Sequence, residues 1–75
     1  MKWFLGKRVK KRFPTTDTDG APTYEHLWVR VTGVIGQRLV GTLESAPGPR
    51  SRLKAGVRVM LAKTDIEEVL EEAVA

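Results

Sequence analysis

The chain has 75 residues, of which 29% are charged and 41% hydrophobic, with a net charge of +4 and no cysteine. A chain of this length forms a single domain and buries only about 60% of its unfolded surface, which leaves little volume for an enclosed active site. The lack of cysteine excludes disulfides, thiolate metal ligands and cysteine nucleophiles.

The apolar segments are short. None approaches the roughly 18 residues that a membrane-spanning helix requires. The apolar piece before Lys7 and Arg8 is also shorter than a signal-peptide core of about 7–15 residues. We therefore expect a cytoplasmic protein with no membrane partner. Asparagine is missing and Gln37 is the single glutamine, a composition that leans towards a heat-adapted source.

The first predicted strand covers residues 7–13, where apolar side chains alternate loosely with basic ones and recur at no helical spacing. Residues 1–6 precede it and are expected to be flexible. Pro14 is expected to end the strand, because proline cannot donate a hydrogen bond to a sheet. Residues 15–23 are dense in turn-forming side chains and predict a loop.

The central strand is predicted over residues 24–34. Its alternation places Leu27, Val29 and Val31 in the core and His26, Trp28 and Arg30 on the other face. Gly33 is expected to mark a bulge, and residues 36–37 fit a tight hairpin turn. The returning strand, residues 38–44, then directs Leu39 and Leu43 inward, and Gly41 between them permits the close approach of a neighbouring group.

The last third of the chain predicts a loop, a strand and a helix. The loop covers residues 45–52, and the strand covers residues 57–61, with Val57, Val59 and Leu61 inward. A helix is predicted over residues 64–73, because Thr64 and Glu67 form a capping box before an apolar stripe at helical spacing. The predicted fold is mainly β: a small SH3-like or barrel-like antiparallel sheet of four or five strands with a short C-terminal α-helix.

Charge is unevenly distributed along the chain. Residues 1–12 contain six basic side chains and no acid, whereas residues 64–75 contain five acids and no base. The two ends could attract each other in the folded protein, an effect worth only about 0–1 kcal/mol for each exposed pair. Alternatively, the basic segment binds phosphate.

The strand Glu25-His26-Leu27-Trp28 resembles the most recognisable feature of a bacterial family, the domain of unknown function 2314. Lys10 and Phe13-Pro14 resemble its lead-in, and further similarity appears at Gly41-Thr42-Leu43, at Gly56 and Val59, and at Asp65-Ile66. The chain departs from the family at Ser45-Ala46-Pro47, at Gly56-Val57 and at Glu68-Val69. The resemblance runs from Val9 to Leu70 and implies a fold and a cytoplasmic bacterial origin, but no activity.

The sequence offers poor material for catalysis. Glu25 and His26 are adjacent in a strand and therefore point to opposite faces. His26 has no second histidine or thiolate with which to bind a metal. We expect no enzyme, no cofactor and no metal site, and a structural role for the His26 ring.

The candidate site is the face of the central strand that points away from the core. Trp28 is either covered by the N-terminal residues, which would close a barrel, or exposed for binding. We expect a non-enzymatic module, monomeric or weakly dimeric, that binds another protein through the Trp28 face or a sheet edge. The alternative is weak binding of RNA or single-stranded DNA, in which bases stack on aromatic rings beside cations. The candidate residues are Lys7, Arg8, Lys10, Lys11, Tyr24, His26, Trp28, Arg30, Arg38 and Arg58.

Overall fold

Five strands form one antiparallel sheet within residues 1–70, the part of the chain that the computed structural model describes. They are β1 (Arg8–Thr16), β2 (Pro22–Ile35), β3 (Arg38–Leu43), β4 (Arg58–Ala62) and β5 (Glu68–Leu70). Their order across the sheet is β4-β3-β2-β1-β5, so β4 and β5 are the edge strands. The helical segments of this part are two three-residue 3₁₀ turns, Lys2–Phe4 and Lys63–Asp65, and none could traverse a membrane.

The core lies on one face of the sheet, as the alternation of β2 predicts. Leu27, Val29 and Val31 are 6%, 0% and 1% exposed. Fully burying an aliphatic side chain of this size is worth about 1.5–3 kcal/mol, so this cluster is the main source of stability. Its members are Phe4, Val9, Phe13, Leu27, Val29, Val31, Leu39, Leu43 and Leu61.

The predicted bulge near Gly33 is confirmed. Val31 is opposite Gly41, but the next pair is Gly33 with Val40, so Thr32 is an extra residue in β2. Beyond the bulge, Val34 packs against the core and Ile35 points to the opposite face, where it is 54% exposed.

Gly41 allows β2 and β3 to approach closely. A Cβ atom at this position would lie 2.4 Å from the Arg30 carbonyl oxygen and 2.6 Å from Val29 Cγ1. The predicted close approach is therefore made by the backbone and a core side chain of β2, and the Trp28 side chain takes no part in it.

The predicted helix over residues 64–73 is wrong for the residues that the structure describes. Residues 63–65 form a 3₁₀ turn, and Glu68–Leu70 pair with Arg8–Lys10 of β1. A ten-residue helix is marginal on its own, whereas this strand gains sheet hydrogen bonds and packs Ile66 and Val69 against the core. Residues 71–73 of the predicted helix lie outside the described part.

The predicted barrel is also wrong in one respect, because the five-stranded sheet is not closed.

The prediction that Pro14 ends β1 is wrong, because Pro14 pairs with Tyr24 of β2 within the strand. On its other side, β5 pairs with Arg8–Lys10 and does not extend along β1 to Pro14. The N–H that proline lacks therefore leaves no sheet hydrogen bond unmade.

Several predicted boundaries shift. The first loop shortens to residues 17–21 and the second spans residues 44–57, where Val57 is 37% exposed rather than inward. Residues 1–6 include the first 3₁₀ turn, whose Phe4 belongs to the core. Their flexibility stays a prediction.

Candidate functional site

The face of the sheet opposite the core, here called the outer face, carries most of the predicted binding residues. Alternation along the paired strands places eight of the ten there: Arg8, Lys10, Tyr24, His26, Trp28, Arg30, Arg38 and Arg58. Seven of them, all but Tyr24, fall in two areas of this face, the second of which also contains apolar residues. The first, called the Trp28 area, comprises Arg8, Lys10, His26, Trp28 and Arg30. The second, called the β4 strip, comprises Ile35, Arg38, Val40, Arg58 and Met60.

Trp28 is partly buried and held in place by its neighbours. Lys10 is directly opposite it on β1, with Nζ 5.0 Å from the centre of the indole ring and 2.9 Å from a carboxylate oxygen of Glu68. The backbone N–H of Trp28 donates to Ser45 Oγ at 2.8 Å. The Lys10–Glu68 ion pair is one contact between the basic start and the acidic end of the chain, which the sequence predicts to attract each other.

The two arginines of the Trp28 area converge on one carboxylate. The Nε atoms of Arg8 and Arg30 each lie 3.0 Å from Glu44 Oε1. Arg30 also donates from Nη1 to the Gly6 carbonyl oxygen at 2.8 Å. These guanidinium groups therefore already serve contacts within the protein, and Glu44 partly neutralises their positive charge.

His26 and Glu25 have separate partners on opposite faces. The His26 ring donates from Nδ1 to Glu67 Oε1 at 2.7 Å. Glu25 lies opposite the core residue Phe13, and its Oε1 accepts the Gly48 N–H at 2.9 Å. The adjacent pair is thus unable to act as one acid–base unit. Within residues 1–70, no three His, Asp or Glu side chains converge as a metal site would need.

The remaining predicted residues are dispersed. Tyr24 is 54% exposed, with Arg12 Cζ 4.7 Å from the centre of its ring. Lys7 donates to the Trp3 carbonyl oxygen in the first turn. Lys11 lies on the core side of β1, where its Nζ is 4.4 Å from the centre of the Phe13 ring. Neither lysine belongs to the outer face.

The β4 strip combines apolar side chains with two arginines. Ile35, Val40 and Met60 come from three adjacent strands and line a shallow groove together with Arg58 and Val59. Ile35 and Met60 are 54% and 52% exposed, whereas Val40 is buried beneath them. Arg38 and Arg58 flank these residues along the outer face, and neither makes an ion pair or side-chain hydrogen bond with another of residues 1–70.

One hydrogen-bonding side of the β4 backbone has no strand of residues 1–70 beside it. Groups of successive residues in an antiparallel pair point alternately towards and away from the partner strand. Leu43 donates to the Val57 carbonyl oxygen, so Val59 and Leu61 face β3, and Arg58, Met60 and Ala62 face outward. Asp65 Oδ2 accepts the Ala62 N–H at 2.8 Å. No hydrogen bond formed within residues 1–70 satisfies the outward groups of Arg58 and Met60.

Sequence reasoning missed three residues of these surfaces: Ile35, Glu44 and Asp65. Ile35 was missed because Thr32 reverses the alternation, although Gly33 signalled the bulge. Glu44 neutralises Arg8 and Arg30, which become its neighbours only in the folded sheet, so no local pattern shows these contacts. Asp65 contacts the Ala62 N–H through the 3₁₀ turn that stands where the sequence predicts the start of a helix.

These features define a small, mainly β domain built on one antiparallel sheet, with an ion-paired aromatic area and an arginine-flanked apolar strip. The chain belongs to the bacterial family described as "Uncharacterized protein conserved in bacteria (DUF2314)", whose model matches residues 4–71. Comparison with curated proteins and with solved structures gave no match.

Proposed function

We propose that this protein is a non-enzymatic binding module that adds an extended segment of another protein to the outward edge of β4. The observation that carries the proposal is the pair of outward backbone positions, Arg58 and Met60, that residues 1–70 leave without hydrogen bonds beside an exposed apolar strip. In strand addition, main-chain hydrogen bonds supply affinity and alternate side-chain pockets supply specificity.

The two edges of the sheet differ in what they offer. The edge of β4 adjoins Ile35 and Met60, and a partner segment could bury both. The strand β5 has three residues, and its Glu68 is already paired with Lys10. The Trp28 area is the less favoured protein site because its cations contact carboxylates of the same chain.

We also propose that the sheet curves in the manner of an SH3-like fold. A flat sheet would separate β4 from β5 by four strand spacings, about 19 Å. The link between them has only residues 63–67, three of which form a 3₁₀ turn that rises about 2 Å per residue. The curvature turns the outer face, including the β4 strip, convexly towards solvent. A solved structure with β4 and β5 lying far apart in a flat sheet would refute it.

The test of the binding proposal selects displayed random ten-residue peptides on the purified protein. Enriched peptides should shift the amide resonances of Arg58 and Met60 in ¹⁵N-labelled protein. The variant Met60→Pro should lose binding, because proline removes the outward N–H, and proline is tolerated on an edge strand where no sheet bond is lost. Met60→Ala retains that N–H and should keep part of the affinity.

Two outcomes would overturn the proposal. Either no peptide is enriched, or the resonance shifts fall on Trp28, Lys10 and His26 while Arg58 and Met60 do not move. In the second case the binding surface is the Trp28 area.

Weak binding of single-stranded nucleic acid is the second candidate, favoured by the exposed Arg38 and Arg58 side chains without carboxylate partners in residues 1–70. A titration with oligouridylate and oligothymidylate at low salt examines it. Binding to phosphate should weaken with salt at a log–log slope of about −0.7 for each phosphate neutralised. A flat titration at the lowest salt would remove this candidate.

A further inference from the structure

We infer that the edge of β4 selects a segment carrying an apolar residue followed, two positions later, by aspartate or glutamate. This inference rests on the proposed function and adds to it the partner's chemistry, direction and register. Φ denotes the apolar residue, which is placed opposite Met60; the acidic residue is then opposite Arg58.

The register follows from the outward backbone groups. A partner strand can exchange hydrogen bonds with Met60 and with Arg58, which are two residues apart. It cannot continue past Met60 to Ala62, because Asp65 already accepts that N–H at 2.8 Å. At the other end β4 is preceded by Gly56, whose φ of 88° departs from strand geometry. The usable edge is therefore short, and two partner residues are hydrogen-bonded to it.

The side chains at those two positions face the β4 strip. Residues two apart in a strand lie on the same face. The partner residue opposite Met60 extends the row formed by Met60 and Val40, with Ile35 nearby. An apolar side chain there removes exposed hydrocarbon from water, which is the main favourable term in association.

Charge selects the second position. Arg58 has no ionic partner within residues 1–70, so a carboxylate directly opposite it forms a cross-strand pair of opposite charge. At the other end of the strip, the Asp65 carboxylate lies against the Ala62 backbone and repels an acid. The acid is thus favoured directly opposite Arg58.

The direction of the partner is antiparallel. Every pair in the sheet is antiparallel, and this arrangement is slightly more stable per residue than the parallel one. An antiparallel partner reads Φ-x-Asp/Glu from its N-terminus, whereas a parallel partner reads Asp/Glu-x-Φ. The two sequence orders therefore distinguish the two directions.

A second copy of the chain fits this edge poorly. Self-pairing centred on Met60 requires the Ala62 N–H of each copy, which Asp65 occupies. Self-pairing centred on Val59 brings the two Arg58 side chains into diagonal contact, where like charges repel. A partner of different sequence meets neither obstacle.

The test uses fluorescence anisotropy with the peptide Lys-Thr-Ile-Thr-Glu-Thr and variants of it. Replacing the glutamate by lysine should weaken binding about threefold to tenfold, from the loss of one cross-strand charge pair and its replacement by repulsion. The protein variant Arg58→Glu should prefer the lysine peptide. This charge exchange isolates the proposed pair. The peptide change alone and the Arg58→Glu change alone each weaken binding, whereas the two changes together restore a pair of opposite charges.

Backbone methylation separates this inference from the proposed function. N-methylation of the isoleucine or the glutamate should abolish binding, whereas N-methylation of the threonine between them should not, because that N–H points away from β4. If methylation acts as expected but glutamate and lysine peptides bind equally, the charge rule is overturned and strand addition stands. If methylation of the isoleucine has no effect, strand addition itself is refuted. Concentration-dependent dimerisation through β4 would overturn the choice of a different partner.

Discussion

The substitution Gly41→Ala tests the packing of the sheet that supports both areas of the outer face. The added Cβ would lie 2.4 Å from the Arg30 carbonyl oxygen and 2.6 Å from Val29 Cγ1. The first contact is with backbone, which no side-chain rotation can relieve, so β2 and β3 must move apart.

The expected cost follows from the size of this overlap. Extra methyl groups in a packed core typically cost about 1–3 kcal/mol, and the total free energy of unfolding for a domain of this size is about 4–11 kcal/mol. We expect Gly41→Ala to lower the free energy of unfolding by about 2–3 kcal/mol. For a domain of 60–100 residues, each kcal/mol corresponds to about 4–8 °C in Tm.

Gly33→Ala is the matched control in the same sheet. A Cβ at Gly33 meets no atom within 4 Å, and its backbone is not in the left-handed region. Its effect should be small, or stabilising by about 0.4–1 kcal/mol, because alanine restricts the unfolded chain. Urea denaturation followed by tryptophan fluorescence measures both variants. Equal free energies of unfolding for the two would contradict the close approach of β2 and β3.

Three further substitutions test the contacts around the candidate site. Ser45→Ala should lower the free energy of unfolding by about 1–3 kcal/mol, because it leaves the partly buried backbone N–H of Trp28 without its acceptor; a free energy of unfolding equal to wild type in urea would argue against that bond. Glu25→Ala should cost about 1 kcal/mol and speed hydrogen exchange of the Gly48 amide, which loses its carboxylate acceptor; unchanged exchange would show that Glu25 does not hold the 44–57 loop. Glu44→Gln should cost at most about 1 kcal/mol at low salt and less at 1 M salt, because its contacts with Arg8 and Arg30 are solvent-exposed ion pairs; a cost that does not change with salt would point to packing instead.

The sequence predicted the parts of the fold that depend on local alternation. Leu27, Val29 and Leu39 are buried as expected, because a period of two leaves little freedom once one face is apolar. The C-terminal segment was mispredicted because its spacing suits a helix equally well. What decides its structure is the distant edge of β1, where Val69 pairs with Val9.

The candidate site was less predictable than the fold. The outward direction of Trp28 and Arg30 follows from alternation, but the availability of Arg30 depends on Glu44, which is distant in sequence and adjacent in the sheet. Conversely, Arg58 has no ionic partner among residues 1–70 because the acids of that part lie elsewhere. Pairing between strands, which single-sequence patterns do not encode, therefore determines which cations can meet a ligand.

The bulge at Thr32 has a consequence for how the outer face meets other molecules. An extra residue bends its strand and increases the local twist, and Thr32 lies between the part of β2 that carries Trp28 and the part that carries Ile35. The two parts of β2, one carrying Trp28 and the other Ile35, consequently follow different directions on either side of the bulge. A rigid flat surface that matched the Trp28 part of the strand would therefore not also match the Ile35 part.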